Sequence, residues 1–337
     1  MRSIAVINQK GGVGKTTTAV NVAAGLARRG RRVLLIDIDA QAHATQHVGI
    51  DSTDIITVYD VLLNGAPLLD AMRTVGENLT LVPSHIDLVA TDIELRDRQD
   101  RETVLLDALQ ASRDHFDVCV MDCPPSLGLI TINALAAAEE VIIPLQPHFL
   151  ALQGLGRLLE TVSLVRGVIK PELRVSGIVL CMYESATRLA REVRDDVSQF
   201  VRSAEYQDAW YGARVFDTVI RKNIKLAECP AFGQTIFEYA PESHGAVDYE
   251  ALVAEIDAMA DAGGEPEQIA PRSSVGDVNV ESESIETAEI APDADEADES
   301  SPPASIPIAE IGRIAPPIDN ERSAPLSADC PRDAAAS

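Results

Sequence analysis

Cysteine is scarce and scattered in this 337-residue chain: Cys119 and Cys123 flank an aspartate, Cys181 lies in an apolar run, and Cys229 and Cys330 stand alone. That distribution offers neither the paired spacings of a metal site nor a disulfide framework. Long apolar runs are missing too. Nowhere do about eighteen apolar residues occur together, so no membrane-spanning helix is expected, and the run Ile4 to Ile7 is too short for a secretory leader. An intracellular, soluble protein is the expectation. Positive charge is also in short supply: 53 acidic residues against 28 basic ones leave a formal net charge of −25, and only five of the bases are lysine against 23 arginines. Such a balance fits either a GC-rich genome or a salty cytoplasm. It also repels polyanions overall, so any contact with one needs a local basic patch.

The charge is unevenly placed. Residues 262–337 hold 17 of the acids and 4 of the bases, net −13, in a stretch dominated by Pro, Ser, Ala, Glu and Asp without apolar periodicity. This segment is expected to be a disordered acidic tail. Residues 1–261 hold the other 36 acids and 24 bases, net −12, and alternate strand and helix patterns throughout. One α/β domain fits them, and the 46% hydrophobic content of the chain suffices for a sizeable core.

What the chain does have is a glycine-rich loop, Gln9-Lys10-Gly11-Gly12-Val13-Gly14-Lys15-Thr16-Thr17, joining the apolar strand Ile4 to Ile7 to an alanine-rich helix. Glycines let backbone N–H groups turn toward phosphate oxygens, and the helix behind presents its positive end. Lys15 reaches the outer phosphates and the Thr16 hydroxyl completes a Mg²⁺ shell. Gln9 stands where the usual first glycine would be, and a second lysine, Lys10, sits beside it. In a simple cradle Lys10 points away from its own phosphates. It is either a solvated surface charge or a group reaching a nucleotide held by another subunit.

Further along, Arg32 to Ile38 follows the first helix and gives a β-α-β unit. Buried strands are expected also at Leu79 to Val82, Val118 to Met121, Val141 to Leu145, Val175 to Leu180 and Val215 to Ile220. Helices are expected between them at Thr103 to Arg113, Gln153 to Val168 and Thr187 to Val201, with a last one at Asp248 to Met259. About seven strands alternating with helices predict a doubly wound, mostly parallel sheet of the P-loop NTPase type, helices on both faces. Ligands of such sheets sit beyond the carboxyl ends of the strands. Two acidic segments fall there: Asp37-Ile38-Asp39-Ala40-Gln41, and Asp122-Cys123-Pro124-Pro125-Ser126. A carboxylate just after a buried strand either holds Mg²⁺ through its waters, orients an attacking water, or simply caps a turn. Two of them on a sheet that carries a phosphate loop favour chemistry.

Gln9 to Thr17, Asp37 to Gln41, Met121 to Gly128 and the late block Val215 to Gly233 together resemble the ParA/Soj-type partition ATPases of the deviant P-loop class, over residues 1 to about 260. The resemblance implies an ATP- and Mg²⁺-dependent switch that forms a homodimer in the ATP state. It implies catalytic roles for Lys10, crossing to the partner's ATP, for Lys15, binding phosphate, and for Asp39, positioning the hydrolytic water. Gly11, Gly12, Val13, Gly14, Lys15, Thr16 and Thr17 would hold the nucleotide, Thr16 and Asp122 the metal, the latter through water. Two departures stand out. The family's common Asp-Pro-Gln-Gly-Asn is here Asp39-Ala40-Gln41-Ala42-His43, and the proline usual before the late Arg-Asn pair is replaced in Arg221-Lys222-Asn223.

The resemblance also implies non-specific binding of double-stranded nucleoid DNA in the cytoplasm, and a ParB-like protein that stimulates hydrolysis. Candidate phosphate contacts are Arg188, Arg191 and Arg194, three residues apart, and Arg221, Lys222 and Lys225. The bland alternative is a solvated helix face bridged to Glu192, Asp195 and Asp196. Two cousins compete with the partition reading. A membrane-bound division-site regulator of the MinD kind needs a basic amphipathic terminal helix, and here the last helix is acidic, so no membrane partner is expected. An electron-transfer ATPase like the nitrogenase iron protein needs distant cluster cysteines, whereas Cys119 and Cys123 crowd Asp122.

Overall fold

The computed structural model describes residues 1–261; the acidic segment 262–337, with Cys330, lies outside the described residues. Nine strands form the central sheet: β1 (Arg2–Val6), β2 (Val33–Asp37), β3 (Arg73–Gly76), β4 (Leu79–Val82), β5 (Val118–Asp122), β6 (Glu140–Leu145), β7 (Arg174–Tyr183), β8 (Arg214–Val215) and β9 (Ile220–Arg221). Their spatial order is β3-β4-β2-β5-β1-β6-β7-β8, with β9 also beside β7. Every pairing is parallel except β3 with β4. Parallel strands need crossovers, and helices supply them on both faces.

Both faces are therefore dry. In β2, Leu34 and Ile36 join one apolar cluster and Val33 and Leu35 the other, so the period of two along the strand feeds two separate cores. One core is closed by the helices Lys15–Arg28 and His244–Asp261. The other lies under the helices Leu129–Ala137, Ala151–Val168 and Arg188–Arg202. Gly25 explains how the first and last helices approach so closely: a Cβ there would lie 2.5 Å from Val253 Cγ2.

Two expectations need correction. The expected strand Val215 to Ile220 is two separate two-residue strands, β8 and β9, both against β7. The Phe216 N–H still donates to the Ile178 carbonyl at 3.0 Å, its ring packed over Gly177, and the run breaks after it, where the Asp217 and Thr218 N–H groups turn to the Glu255 carboxylate at 3.0 and 2.8 Å. β3 is not among the expected strands; this antiparallel edge strand alternates half-buried and exposed residues and carries no apolar run to announce it. The expected helices are present as Val104–Gln110, Ala151–Val168, Arg188–Arg202 and His244–Asp261. Thr187 sets the start of the third, its Oγ1 accepting from the Ala190 N–H at 3.3 Å.

Candidate active site

The glycine-rich loop leaves the carboxyl end of β1 and turns into the helix through two glycines with left-handed backbone, Gly12 at φ 72° and Gly14 at φ 94°. An L side chain is strained at such angles, which is why glycine stands there. Asn8 pins the loop's start: its Nδ2 donates to the Pro144 carbonyl at 2.7 Å and its Oδ1 accepts from the Lys10 N–H at 3.0 Å. From Gly11 to Thr17 no backbone N–H donates to any partner among the described residues. A row of unpaired donors at a helix N-terminus is an anion cradle.

Lys15 is buried inside this loop, its Nζ donating to the Lys10 carbonyl at 3.3 Å. Desolvation lowers its pKa, and Asp122, Asp39 and Cys123 pull the other way. Lys10, by contrast, is exposed. Its charge adds to burial in lowering the pKa of His148, which places it near the segment carrying Phe149, 87% exposed. Beneath the loop, the Thr18 hydroxyl meets the Tyr249 hydroxyl at 3.1 Å and the Cys181 sulfur at 3.8 Å, and Cys181 lies directly under Gly14. Burial pushes that thiol up to about 12, so it packs rather than reacts.

The two acidic segments meet here, because β2 and β5 are neighbours with Asp37 opposite Asp122. Asp122 is fully buried, and neither carboxylate oxygen has a hydrogen-bond partner among the described residues. Burial raises its pKa well above the ordinary 3.8, Asp37 adds to that, and the Thr16 hydroxyl and Lys15 oppose it. The Thr16 hydroxyl polarises the carboxylate without completing a hydrogen bond to it. A buried, orphaned carboxylate beside a hydroxyl and an unpaired N–H cradle fits a hydrated Mg²⁺. Among the described residues no group of three or more His, Cys, Asp or Glu offers an alternative, all-protein metal site.

Asp39 sits just past β2, nearly buried, with Oδ1 accepting from the Gln41 N–H at 3.0 Å. Its Oδ2 has no donor among the described residues and is free to orient a water. Asp37 is different. Fully buried, it accepts from the Thr45 N–H at 2.8 Å, the Thr45 hydroxyl at 2.7 Å and the Asp39 N–H at 3.2 Å; burial pushes it up to about 6 against those bonds. The sequence offered two strand-end aspartates in this segment, and the geometry gives them different tasks. Sequence reasoning missed Asn8, Thr45 and Ser84; the Asn-x-Lys and Asp-x₇-Thr spacings were visible, but their partners were not.

A family model described as an AAA domain matches residues 1–175. The chain is 43% identical over 255 residues to the sporulation initiation inhibitor protein Soj of Bacillus subtilis, covering 75% of this chain and 97% of that protein. It is 41% identical over 257 residues to the chromosome partitioning protein ParA of Myxococcus xanthus, covering 76% of this chain and 87% of that one. This chain belongs to the Soj/ParA family. Among solved structures, cobyrinic acid a,c-diamide synthase from Mycobacterium smegmatis with bound ATP analog and magnesium matches at a TM-score of 0.67 and 35% identity, covering 78% of this chain and 97% of that one.

Four of the six basic candidates are engaged by acidic partners within the fold. Arg221 grips the nearly buried Asp248 through its backbone N–H and guanidinium, at 2.6 Å from Nη2 to Oδ1. Arg188 pairs with Glu192 at 2.6 Å, Lys222 with Glu184 at 3.3 Å, and Lys225 with Glu228 at 2.8 Å. The Lys222–Glu184 pair and the register of Tyr183 with Arg221 bring the two basic segments to one edge of the sheet. Arg191 is exposed and Arg194 half-buried on the same helix, with no ion pair among the described residues. His43 is exposed, whereas His47 is buried against the Cys229 sulfur at 3.5 Å, and burial pushes it down to about 4. No described helix is long and apolar enough to cross a membrane.

Proposed function

We propose that residues 1–261 form an ATP- and Mg²⁺-dependent ATPase that dimerises around its nucleotides, binds nucleoid DNA without sequence preference, and releases it on hydrolysis in the cytoplasm. Cargo is positioned with a ParB-like protein that stimulates the otherwise weak hydrolysis. The observation that carries this reading is the Asp122 carboxylate, buried with both oxygens unpartnered beside Thr16 and Lys15. A buried charge without donors costs several kcal/mol unless a cation completes the site.

Each residue then has a task. The N–H groups from Gly11 to Thr17 cradle the phosphates, and Lys15, dry and close, attracts the outer ones more strongly than a solvated lysine would. Thr16 and Asp122 would hold Mg²⁺, which would supply positive charge against the negative charge of the reacting phosphates. Asp39 Oδ2 orients the water that attacks the γ-phosphorus, giving ADP and inorganic phosphate. Lys10, exposed at the start of the loop, reaches the partner's nucleotide. Asp39→Ala tests the scheme: it should keep ATP and Mg²⁺ binding, stop hydrolysis, and accumulate an ATP-dependent dimer seen by light scattering. Hydrolysis at the wild-type rate would remove Asp39 from the water.

A further inference from the structure

Asp39 is held from both sides. Its N–H donates to Asp37 Oδ1 at 3.2 Å, and its carbonyl accepts from the Ser84 hydroxyl at 2.7 Å. Between those two contacts the chain of bonds closes: Asp37 Oδ2 accepts from the Thr45 hydroxyl at 2.7 Å, and Thr45 Oγ1 accepts from the Ser84 N–H at 3.0 Å. Asp37, Thr45 and Ser84 are fully buried. The ring draws on three segments: the end of β2, the helix His43–His47, and the loop after β4. It closes there because β2 and β4 are parallel neighbours with Ile36 opposite Val82, so both chains leave the sheet at one level.

We infer that Thr45 and Ser84 are positioning residues for hydrolysis, locking the Asp39 peptide through Asp37 so that the Asp39 carboxylate meets the attacking water in one orientation. This rests on the ATPase reading above. Neither residue touches the nucleotide cradle, and their effect is transmitted through backbone. With the Asp39 N–H and C=O both fixed and Oδ1 held by Gln41, the remaining freedom of the carboxylate is small, and Oδ2 points one way. Misplacing a water-orienting group by about 1 Å costs up to roughly 100-fold in rate. A ring that merely satisfied buried polar groups would matter to stability and to nothing else.

The two roles separate in full-length protein with Ser84→Ala, Thr45→Val and Thr45→Ser, alongside wild type. Measured are single-turnover hydrolysis, ATP affinity with Mg²⁺, thermal midpoint, and amide hydrogen exchange over residues 37–45. Positioning predicts that Ser84→Ala and Thr45→Val hydrolyse about tenfold more slowly with ATP affinity within about twofold of wild type. Thr45→Ser, which keeps the hydroxyl, should recover most of the rate, and the exchange of the Asp39 to Gln41 amides should quicken in the slow variants only. Ser84→Ala with wild-type turnover and wild-type exchange overturns the inference while leaving the ATPase reading intact. So does a rate that falls only in step with the thermal midpoint. A wild type without Mg²⁺-dependent hydrolysis overturns the ATPase reading and this inference with it.

Discussion

Asp37 and Asp122 are register partners on adjacent parallel strands and both are fully buried, yet one is saturated with donors and the other has none. Burial raises both toward the protonated form, Asp37 adding to the effect on Asp122 and Asp39 to that on Asp37. Only the unsatisfied member faces the phosphate loop. An unpaired buried carboxylate costs stability, and its place beside the loop matches the Mg²⁺ role proposed for it.

Asp122→Asn tests both points. The folded chain holds the Asp122 proton more tightly than the unfolded chain, whose carboxyl titrates near 3.8, so wild-type stability falls as pH rises from that value through the folded pKa. The amide removes this pH-dependent destabilisation. Near neutral pH the nucleotide-free variant should be more stable by about 1 to 3 kcal/mol in urea unfolding. The gap should close as pH falls toward 4, while Mg²⁺-dependent hydrolysis disappears at all pH values. A variant no more stable than wild type at neutral pH would mean that Asp122 is solvated or paired in solution.

The loop, Lys15, Thr16 and the strand-end aspartates are legible in the sequence because each lies within a few residues of the signal that marks it: glycine spacing, a buried strand, a helix start. Asp37's donors are not. Thr45 follows it by eight residues, but Ser84 reaches Asp39 only because β2 and β4 adjoin, a fact of topology and not of local pattern. The same holds for Arg221. In sequence it is one of a basic cluster; in the fold, Asp248 from the last helix occupies its guanidinium. β3 escaped for the opposite reason, as an exposed edge has no apolar period to read.

Ala42 stands where the family commonly has glycine, and its backbone is left-handed at φ 51°. The cost of that conformation for an L residue is about 1 to 2 kcal/mol, offset in part by the smaller entropy that alanine gives up on folding. Ala42→Gly should therefore raise stability by up to about 1 kcal/mol. Its N–H bonds to the Asp39 carbonyl at 2.8 Å, so the relaxed loop should also change the hydrolysis rate. Chemical unfolding and single-turnover assays read the two effects. Lower stability in the glycine variant would show that the alanine is unstrained.

The two lysines of the loop should part company. Lys15 is buried among Asp122, Asp39 and the cradle, and Lys15→Ala should abolish ATP binding in equilibrium dialysis. Lys10 is exposed, and among the described residues only its backbone is hydrogen-bonded, so Lys10→Ala should bind ATP within about twofold of wild type yet fail to dimerise in light scattering. A Lys10→Ala protein that dimerises with ATP would leave that side chain as surface charge.

DNA binding calls for separating cations that hold the fold from those that are spare. Arg221→Ala leaves Asp248 only its backbone donor and should cost about 1 to 2 kcal/mol of stability, less than a fully buried pair because the arginine side chain is 41% exposed. Lys222→Ala and Arg191→Ala touch no buried partner, and together they should leave the thermal midpoint unchanged. If the edge that joins the two segments tracks phosphates, this double variant should bind random duplex DNA more weakly in the ATP state. Its slope of log K on log salt should flatten by about 0.9 for each DNA phosphate that the variant no longer neutralises. Equal affinity and an equal slope at low salt would move the DNA face away from the β7–β9 edge.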